Sequence, residues 1–252
     1  MSQARELARR RWDRHVRFLQ ARLSPTGYMG LHLTIGMLAI IVTCWCFNEV
    51  AEGLTEQGTL ASIDHQAALV VQTYASAELT SAAKAVSFLG SVLFLAIASV
   101  CAAIVFFVKR WPDAILGLAL TMLGGGLLNT LLKHFFQRQR PVFENPLVNL
   151  TTFAFPSGHT MGATLFYMFL AAIVAYAMKS RGIRVLAFAC AMMIVALIGA
   201  TRIYLGAHFF TDVLGAIAAG LAWLAFCWTA VETLRKWRKR QLKRRAAQEA
   251  SS

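Results

Sequence analysis

The stretch MGATLFYMFLAAIVAYAM, residues 161–178, decides the fold. It carries no charged side chain over nearly the ~20 residues that a helix needs to cross a hydrocarbon core. Stretches of the same character occupy residues 29–47, 85–108, 114–132, 185–200 and 213–231. With 58% hydrophobic and only 15% charged residues, the chain lies outside the range of soluble domains. The sequence therefore predicts an all-α, six-transmembrane helix bundle over residues 29–231, between a basic leader, 1–28, and a basic tail, 232–252. Gly124, Gly125 and Gly126 in the third stretch predict a close helix contact or a local break. The leader is long and the first apolar stretch has spanning length, so the expectation is a retained helix and not a cleaved signal peptide.

Basic residues set the orientation. Seven Arg precede Tyr28, Lys109 and Arg110 join the second and third stretches, and Lys179, Arg181 and Arg184 join the fourth and fifth. Eight more cations run from Arg235 to Arg245. In a six-span topology all of these share one side, which the positive-inside rule makes cytoplasmic, with both termini. Lys84, Lys133, Arg138, Arg140 and Arg202 remain for the other side. The net charge of +13 is thus a topology signal with attraction to anionic lipid, and no nucleic-acid partner is expected. Cys44, Cys46, Cys101, Cys190 and Cys227 all fall in or beside the spans, which predicts buried thiols, neither disulfides nor metal ligands. Of the two sizeable outer loops, 48–84 and 137–156, the first has an apolar patch at 67–71 that predicts a short interfacial helix. Such a loop either gates a lipid or simply joins two spans.

Three polar clusters stand at the outer ends of the spans, where charge is costly unless paired or bound to a ligand. Lys133 and Arg140 are seven residues apart. If the third helix continues to Pro141, they face one way and suit a phosphate group, Arg as a planar fork and Lys as a movable charge. They equally fit cations snorkelling to the interface, and His134 and Arg138 are read only in that sense. Pro156, Ser157, Gly158 and His159 read as a helix start whose free N–H groups can hold an anion, with His159 at the rim as a proton donor. The alternative is an ordinary capped helix with a histidine facing headgroups. His208 and Asp212 are four apart, a spacing that puts them on one face of a sixth helix. A carboxylate there orients a nucleophilic imidazole, or ties off a helix end. Arg202, after Thr201, adds a third cation.

In order and spacing these residues resemble the type 2 phosphatidic acid phosphatase superfamily of integral membrane lipid phosphatases. The matching positions are Lys133 with Arg140-Pro141, then Pro156-Ser157-Gly158-His159, then Arg202 with His208 and Asp212. Thr201 stands where the family usually has Ser, a change that keeps the hydroxyl. The resemblance implies that His208 is a nucleophile forming a phosphohistidine, that Asp212 holds it, and that His159 is the general acid. It implies that Lys133, Arg140, Ser157, Gly158 and Arg202 bind the phosphate, and that no metal or other cofactor takes part. The implied substrate is a lipid phosphate or diphosphate in the bilayer: isoprenyl diphosphate, phosphatidate or phosphatidylglycerol phosphate. The implied location is a bacterial inner (cell) membrane, with the site facing away from the cytoplasm. A lipid-to-lipid phosphotransferase and a non-catalytic phospholipid-binding transporter are the alternatives. The oligomeric state is not legible.

Overall fold

Apolar stretches this long can satisfy their backbone groups in lipid only as helices, and in a computed structural model of the chain they are helical. The structure describes residues 31–53, 63, 64, 66, 76–141, 147, 148 and 150–250. The basic leader up to Tyr28 and the apolar patch at 67–71 lie outside the described residues. The helices are α1 (Leu31–Glu52), α2 (Ala77–Phe88), α3 (Val92–Val108), α4 (Pro112–Ala119), α5 (Gly125–Phe136), α6 (Gly158–Ala177), α7 (Arg181–Tyr204) and α8 (Phe210–Glu249). Among the described residues there is no strand. Taking α4 and α5 with the turn between them as one, five helices are long and apolar enough to cross a membrane. The pair α2 and α3, bent by 41° at a short break, makes a sixth.

The expected second span is thus two helices. Ser91 makes the break, its hydroxyl accepting from Phe94 N at 3.2 Å and so capping α3. The expected third span, 114–132, runs through α4 and α5, joined by a π-helical turn at Leu120–Gly124. The wider turn disturbs the regular ladder, and the Leu120 carbonyl accepts from Trp223 Nε1 at 3.2 Å. Helix α8 does not stop where the apolar residues end near Val231. It continues through the basic tail, some 60 Å of helix at 1.5 Å per residue.

The chain divides into two compact units. One comprises Ile41–Leu224, and its centre is α6, where Met161, Ala163, Leu165, Phe166, Met168 and Phe169 are all buried, too many for one stripe. Helix α7 lays the stripe Ala191, Val195, Ile198 and Arg202 inward, and Val195 and Ile198 pack with Ala163 of α6. Its outer face, with Val185, Leu186, Met193 and Leu197, is exposed, as a lipid-facing surface is. Phe155, fully buried, packs against Phe47 and Phe136 with ring centroids 5.5 and 4.8 Å away, which anchors the end of the 137–156 loop. The second unit comprises Met1–Ile40 and Ala225–Ser252. Within it Gly36 of α1 meets Thr229 of α8, and His32 lies 2.9 Å from Lys236 Nζ and 3.3 Å from Thr233 Oγ1.

The cysteine expectation needs correcting. All five are thiols, but Cys44, Cys46, Cys101 and Cys190 are exposed and only Cys227 is buried. An apolar thiol costs little against lipid, so span position did not predict burial.

The glycine triplet proves to be both a contact and a break. A Cβ on Gly124 would run into the Trp223 ring, whereas one on Gly126 would meet nothing within 4 Å. Gly124→Leu should therefore lower stability by about 1–3 kcal/mol through overpacking. Gly126→Ala should be neutral or stabilising by up to about 1 kcal/mol through helix propensity. Thermal unfolding of the two variants in detergent checks the contrast, and equal melting shifts would refute it.

Candidate active site

The turn between α7 and α8 builds the first part of the site. Gly206, at φ 68°, takes a left-handed conformation that favours glycine. This lets the Arg202 carbonyl accept from both Ala207 N and His208 N, at 3.0 and 3.2 Å. The six-residue interval between Arg202 and His208 is thus the length of a closed helix end. His208 precedes α8 and does not lie on its first turn as the spacing predicts. Asp212 reaches back instead, Oδ2 accepting from Phe209 N at 2.9 Å in the manner of half a capping box. The same oxygen faces His208 Nδ1 at 3.4 Å, longer than a formed hydrogen bond.

The other imidazole nitrogen faces a cation. Arg140 Nη1 lies 3.2 Å from His208 Nε2 and donates to the Ala207 carbonyl at 2.5 Å. An Arg can only donate, so this arrangement calls for a lone pair on Nε2 and a proton on the Nδ1 that faces Asp212. Burial pushes His208 down to about 4, with Asp212 opposing and Arg140 and Arg202 adding to the fall. The imidazole is therefore neutral at pH 7. Burial also lowers Arg140 from its ordinary value, against the pull of Asp212, and it remains a cation.

Lys133 and Arg140 do converge, by a different route from the one the spacing suggests. Helix α5 ends at Phe136, with Gln137 left-handed at φ 46°, so neither a continued helix nor Pro141 sets the geometry. The chain turns back, and the Arg138 carbonyl accepts from Ala154 N at 2.8 Å. Lys133 Nζ and Arg140 Nη2 then donate to the same Phe153 carbonyl, at 2.6 and 3.2 Å. Arg140 also donates to Thr152, from Nε to the carbonyl at 2.6 Å and from Nη2 to the hydroxyl at 2.9 Å.

Helix α6 starts at Gly158, and its first intrahelical bond is Met161 N to the Ser157 carbonyl at 2.9 Å. The N–H groups of Gly158, His159 and Thr160 thus have no acceptor within the helix. Ser157 is wholly buried and does not cap with its side chain; its hydroxyl accepts from Thr160 Oγ1 at 3.0 Å. Ser157 N donates to the Asp212 carbonyl at 3.1 Å, which joins the starts of α6 and α8. A Cβ on Gly158 would come within 3.3 Å of Asn129 Oδ1. His159 is partly buried beside Gly90 at the α2–α3 break, and Arg202, His208, Lys133 and Arg140 all act on it electrostatically. Arg202 donates to Ser87 Oγ of α2 at 2.9 Å, while its buried Nε has no hydrogen-bond partner among the described residues.

Arg138, which the spacing leaves as an ordinary interfacial cation, is central. Its Nη1 donates to Asp212 Oδ1 and Thr211 Oγ1, at 2.6 and 2.7 Å, and its Nη2 to Asp64 Oδ2 at 2.8 Å. Its guanidinium lies 4.4 Å from the Phe209 ring centroid. Asp64, almost fully buried, accepts from Thr211 N at 3.0 Å and from Thr211 Oγ1 at 2.5 Å. Two carboxylates thus sit on the positive end of α8. The outer-side charge count singled out Arg138 without giving it a role, and no spacing rule leads to Asp64. His134, by contrast, bonds its own helix at the Thr130 carbonyl and stands edge-on to the Phe153 ring, with centroids 6.0 Å apart. Among the described residues no three His, Cys, Asp or Glu side chains gather as metal ligands would.

The arrangement has counterparts among known proteins. The sequence pattern of the PAP2 superfamily matches residues 114–236, which include all three clusters. Phosphatidylglycerophosphatase B of Bacillus subtilis (strain 168) is 34% identical over 168 residues, 64% of this chain and 77% of the relative. The crystal structure of a transmembrane PAP2 type phosphatidylglycerolphosphate phosphatase from Bacillus subtilis is 29% identical, with a TM-score of 0.69. It covers 75% of this chain and 93% of its own. Aquifex aeolicus LpxE, 24% identical with a TM-score of 0.53 over 66% of this chain and 94% of its own, shares the fold. A matching family pattern and a relative this similar over most of its length lead to one conclusion: the chain belongs to the PAP2 superfamily, as a multi-pass membrane lipid phosphatase.

Proposed function

We propose that the protein hydrolyses the phosphate of a membrane lipid through a phosphohistidine on His208. The observation that carries this reading is the setting of that imidazole: Nδ1 faces Asp212 at 3.4 Å and Nε2 faces Arg140 at 3.2 Å. A neutral ring held between a carboxylate and a cation directs its lone pair to where a phosphate on Arg140 would lie. The Nε2 lone pair forms the N–P bond as the P–O bond to the lipid breaks. The leaving oxygen takes a proton from His159, and Asp212 stabilises the positive charge that develops on the ring. Water then attacks phosphorus, gives its proton to His159 and releases inorganic phosphate with the Nε2 lone pair restored. Lys133, Arg140, Arg202, Ser157 and the N–H groups from Gly158 onward receive the phosphoryl oxygens. The orphan Nε of Arg202 and the carbonyl-bound Lys133 and Arg140 are donors that an anion can recruit.

Of the three lipid classes, phosphatidylglycerol phosphate is preferred. The support is the name of the Bacillus relative and of the solved structure, with 77% and 93% of those chains covered. The site is assigned to the non-cytoplasmic face of a bacterial inner membrane. The end of α5, the start of α6, the end of α7 and the start of α8 carry the site. The opposite ends of α6 and α7 carry the exposed Lys179, Arg181 and Arg184.

Phosphate release from phosphatidylglycerol phosphate, phosphatidate and isoprenyl diphosphate by the detergent-purified chain, with EDTA present, tests the reading. Release is expected, most rapidly from the first, with His208→Ala lower by at least about 10³-fold, as when an essential nucleophile is lost. Turnover by that variant at the wild-type rate would exclude the phosphohistidine. Transfer of labelled phosphate to a second lipid, without release, would make the protein a phosphotransferase.

The dependence on pH follows from His208. Its basicity is lowered by burial, so the neutral, nucleophilic form persists to about pH 4 and is lost below that. After correction for the substrate's own ionisation near pH 6, the acid limb of kcat/KM should lie well below 6.5. An acid limb at 6.5 or above would show that another group is being titrated.

A further inference from the structure

We propose that Arg138, anchored by Asp64, is a positioning residue that fixes the Asp212 carboxylate and thereby sets the proton affinity of His208. The proposal rests on the reading of His208 as nucleophile and adds to it a control outside the phosphate site. The side-chain hydrogen bonds of Arg138 among the described residues go to Asp64, Thr211 and Asp212, and to none of the residues assigned to the phosphate. It divides one guanidinium between two buried carboxylates, Nη1 on Asp212 at 2.6 Å and Nη2 on Asp64 at 2.8 Å.

Geometry makes the division consequential. Asp212 has two oxygens, and each is committed: Oδ1 to Arg138, Oδ2 to Phe209 N and the facing imidazole. With Oδ1 held from one side and Oδ2 from the other, the carboxylate plane has little freedom to rotate, so Nδ1 of His208 meets an oxygen in a set place. The Arg138 charge also draws on Asp212 and weakens its stabilisation of an imidazolium. Asp64 moderates that draw by taking part of the same guanidinium. Asp64 is itself held by Thr211 N and Thr211 Oγ1, next to Asp212 in the chain. The 48–84 connection therefore reaches the catalytic histidine through three side chains, Asp64, Arg138 and Asp212. The charged and titratable groups acting on His208 are then Asp212 directly, Arg140 and Arg202 from the phosphate side, His159 from α6, and Arg138 through Asp212.

The two anchors act on Asp212 in opposite senses, which gives a test that a merely structural role would not pass. Arg138→Gln removes the cation, leaves Asp212 freer to stabilise the imidazolium, and should raise the His208 titration midpoint. Asp64→Asn keeps an acceptor for Thr211 but leaves Asp212 as the one carboxylate on Arg138, and should lower that midpoint. The midpoint is read on the full-length chain in detergent by NMR of nitrogen-labelled imidazoles, with His208 assigned from His208→Asn. In lipid turnover, Arg138→Gln should lower kcat by about 10–100-fold with KM nearly unchanged, the scale of a misplaced catalytic group. Arg138→Lys, which keeps the charge but cannot reach both carboxylates, should fall between. Wild-type kcat and midpoint in Arg138→Gln, or shifts of the same sign in Arg138→Gln and Asp64→Asn, would overturn the proposal. Should Arg138→Gln fail to fold by thermal unfolding, Arg138→Lys and Asp64→Asn carry the same two readouts, and wild-type values in both would overturn it. A wild-type chain that releases no phosphate from any lipid refutes the function and not this coupling, because the titration reads the coupling without turnover.

Discussion

The carboxylate of Asp212, with no exposed surface, is the constraint on which the rest of the site depends. Removing one partner from a buried ion pair costs about 3–5 kcal/mol, because the remaining charge is left without compensation. The fold therefore has to bring compensating groups to Asp212, and they come from separate parts of the chain. Arg138 arrives from beyond α5, Phe209 N from the helix start, and His208 from the turn after α7. The backbone carbonyl of the same residue holds the start of α6 through Ser157 N. One buried residue, through its carboxylate and its backbone carbonyl, thus ties together the helix ends that carry the three sequence clusters.

The cations fall into two groups by what they hold. Arg138 is held by two carboxylates and one hydroxyl, so its charge is spent inside the protein. Lys133 and Arg140 are held largely by backbone carbonyls, and Arg202 by one serine hydroxyl. A neutral oxygen offsets less of a cation's charge than a carboxylate does. Positive potential therefore remains on the Arg140 side of His208 and is quenched on the Asp212 side. That asymmetry across a single imidazole suits the proposed attack on an anion, and it arises from partner chemistry more than from the number of cations.

The apolar body serves this arrangement by supplying rigid ends. Helix α6 is buried around much of its circumference, and α7 presents one stripe inward with the opposite face left to lipid. The π-helical turn before α5 lets Gly124 approach Trp223 and gives the indole N–H an acceptor at Leu120. Lipid does not drive apolar surfaces together as water does, so close approach at small residues and satisfied polar groups carry more of the packing. The outward thiols of Cys44, Cys46, Cys101 and Cys190 belong to that same lipid-facing surface.

The sequence by itself determined the spanning stretches, because hydropathy over some 20 residues depends only on composition. It also determined which side chains are anomalous in such a setting, so that Lys133, Arg140, Ser157, Gly158, His159, Arg202, His208 and Asp212 could all be named. The interval from Arg202 to His208 had a local cause, a helix end closed at Gly206, and so was written in the chain. Helix periodicity misjudged the geometry wherever the helix stopped: α5 ends before Arg140 and α8 begins after His208. Tertiary structure alone decided the partners. Arg138 and Asp64 are separated by 74 residues and share no pattern, yet they meet because a buried carboxylate must find a cation wherever the chain can bring one. Spacing can show which charges need compensation, but which group supplies it is settled only when distant segments are packed together.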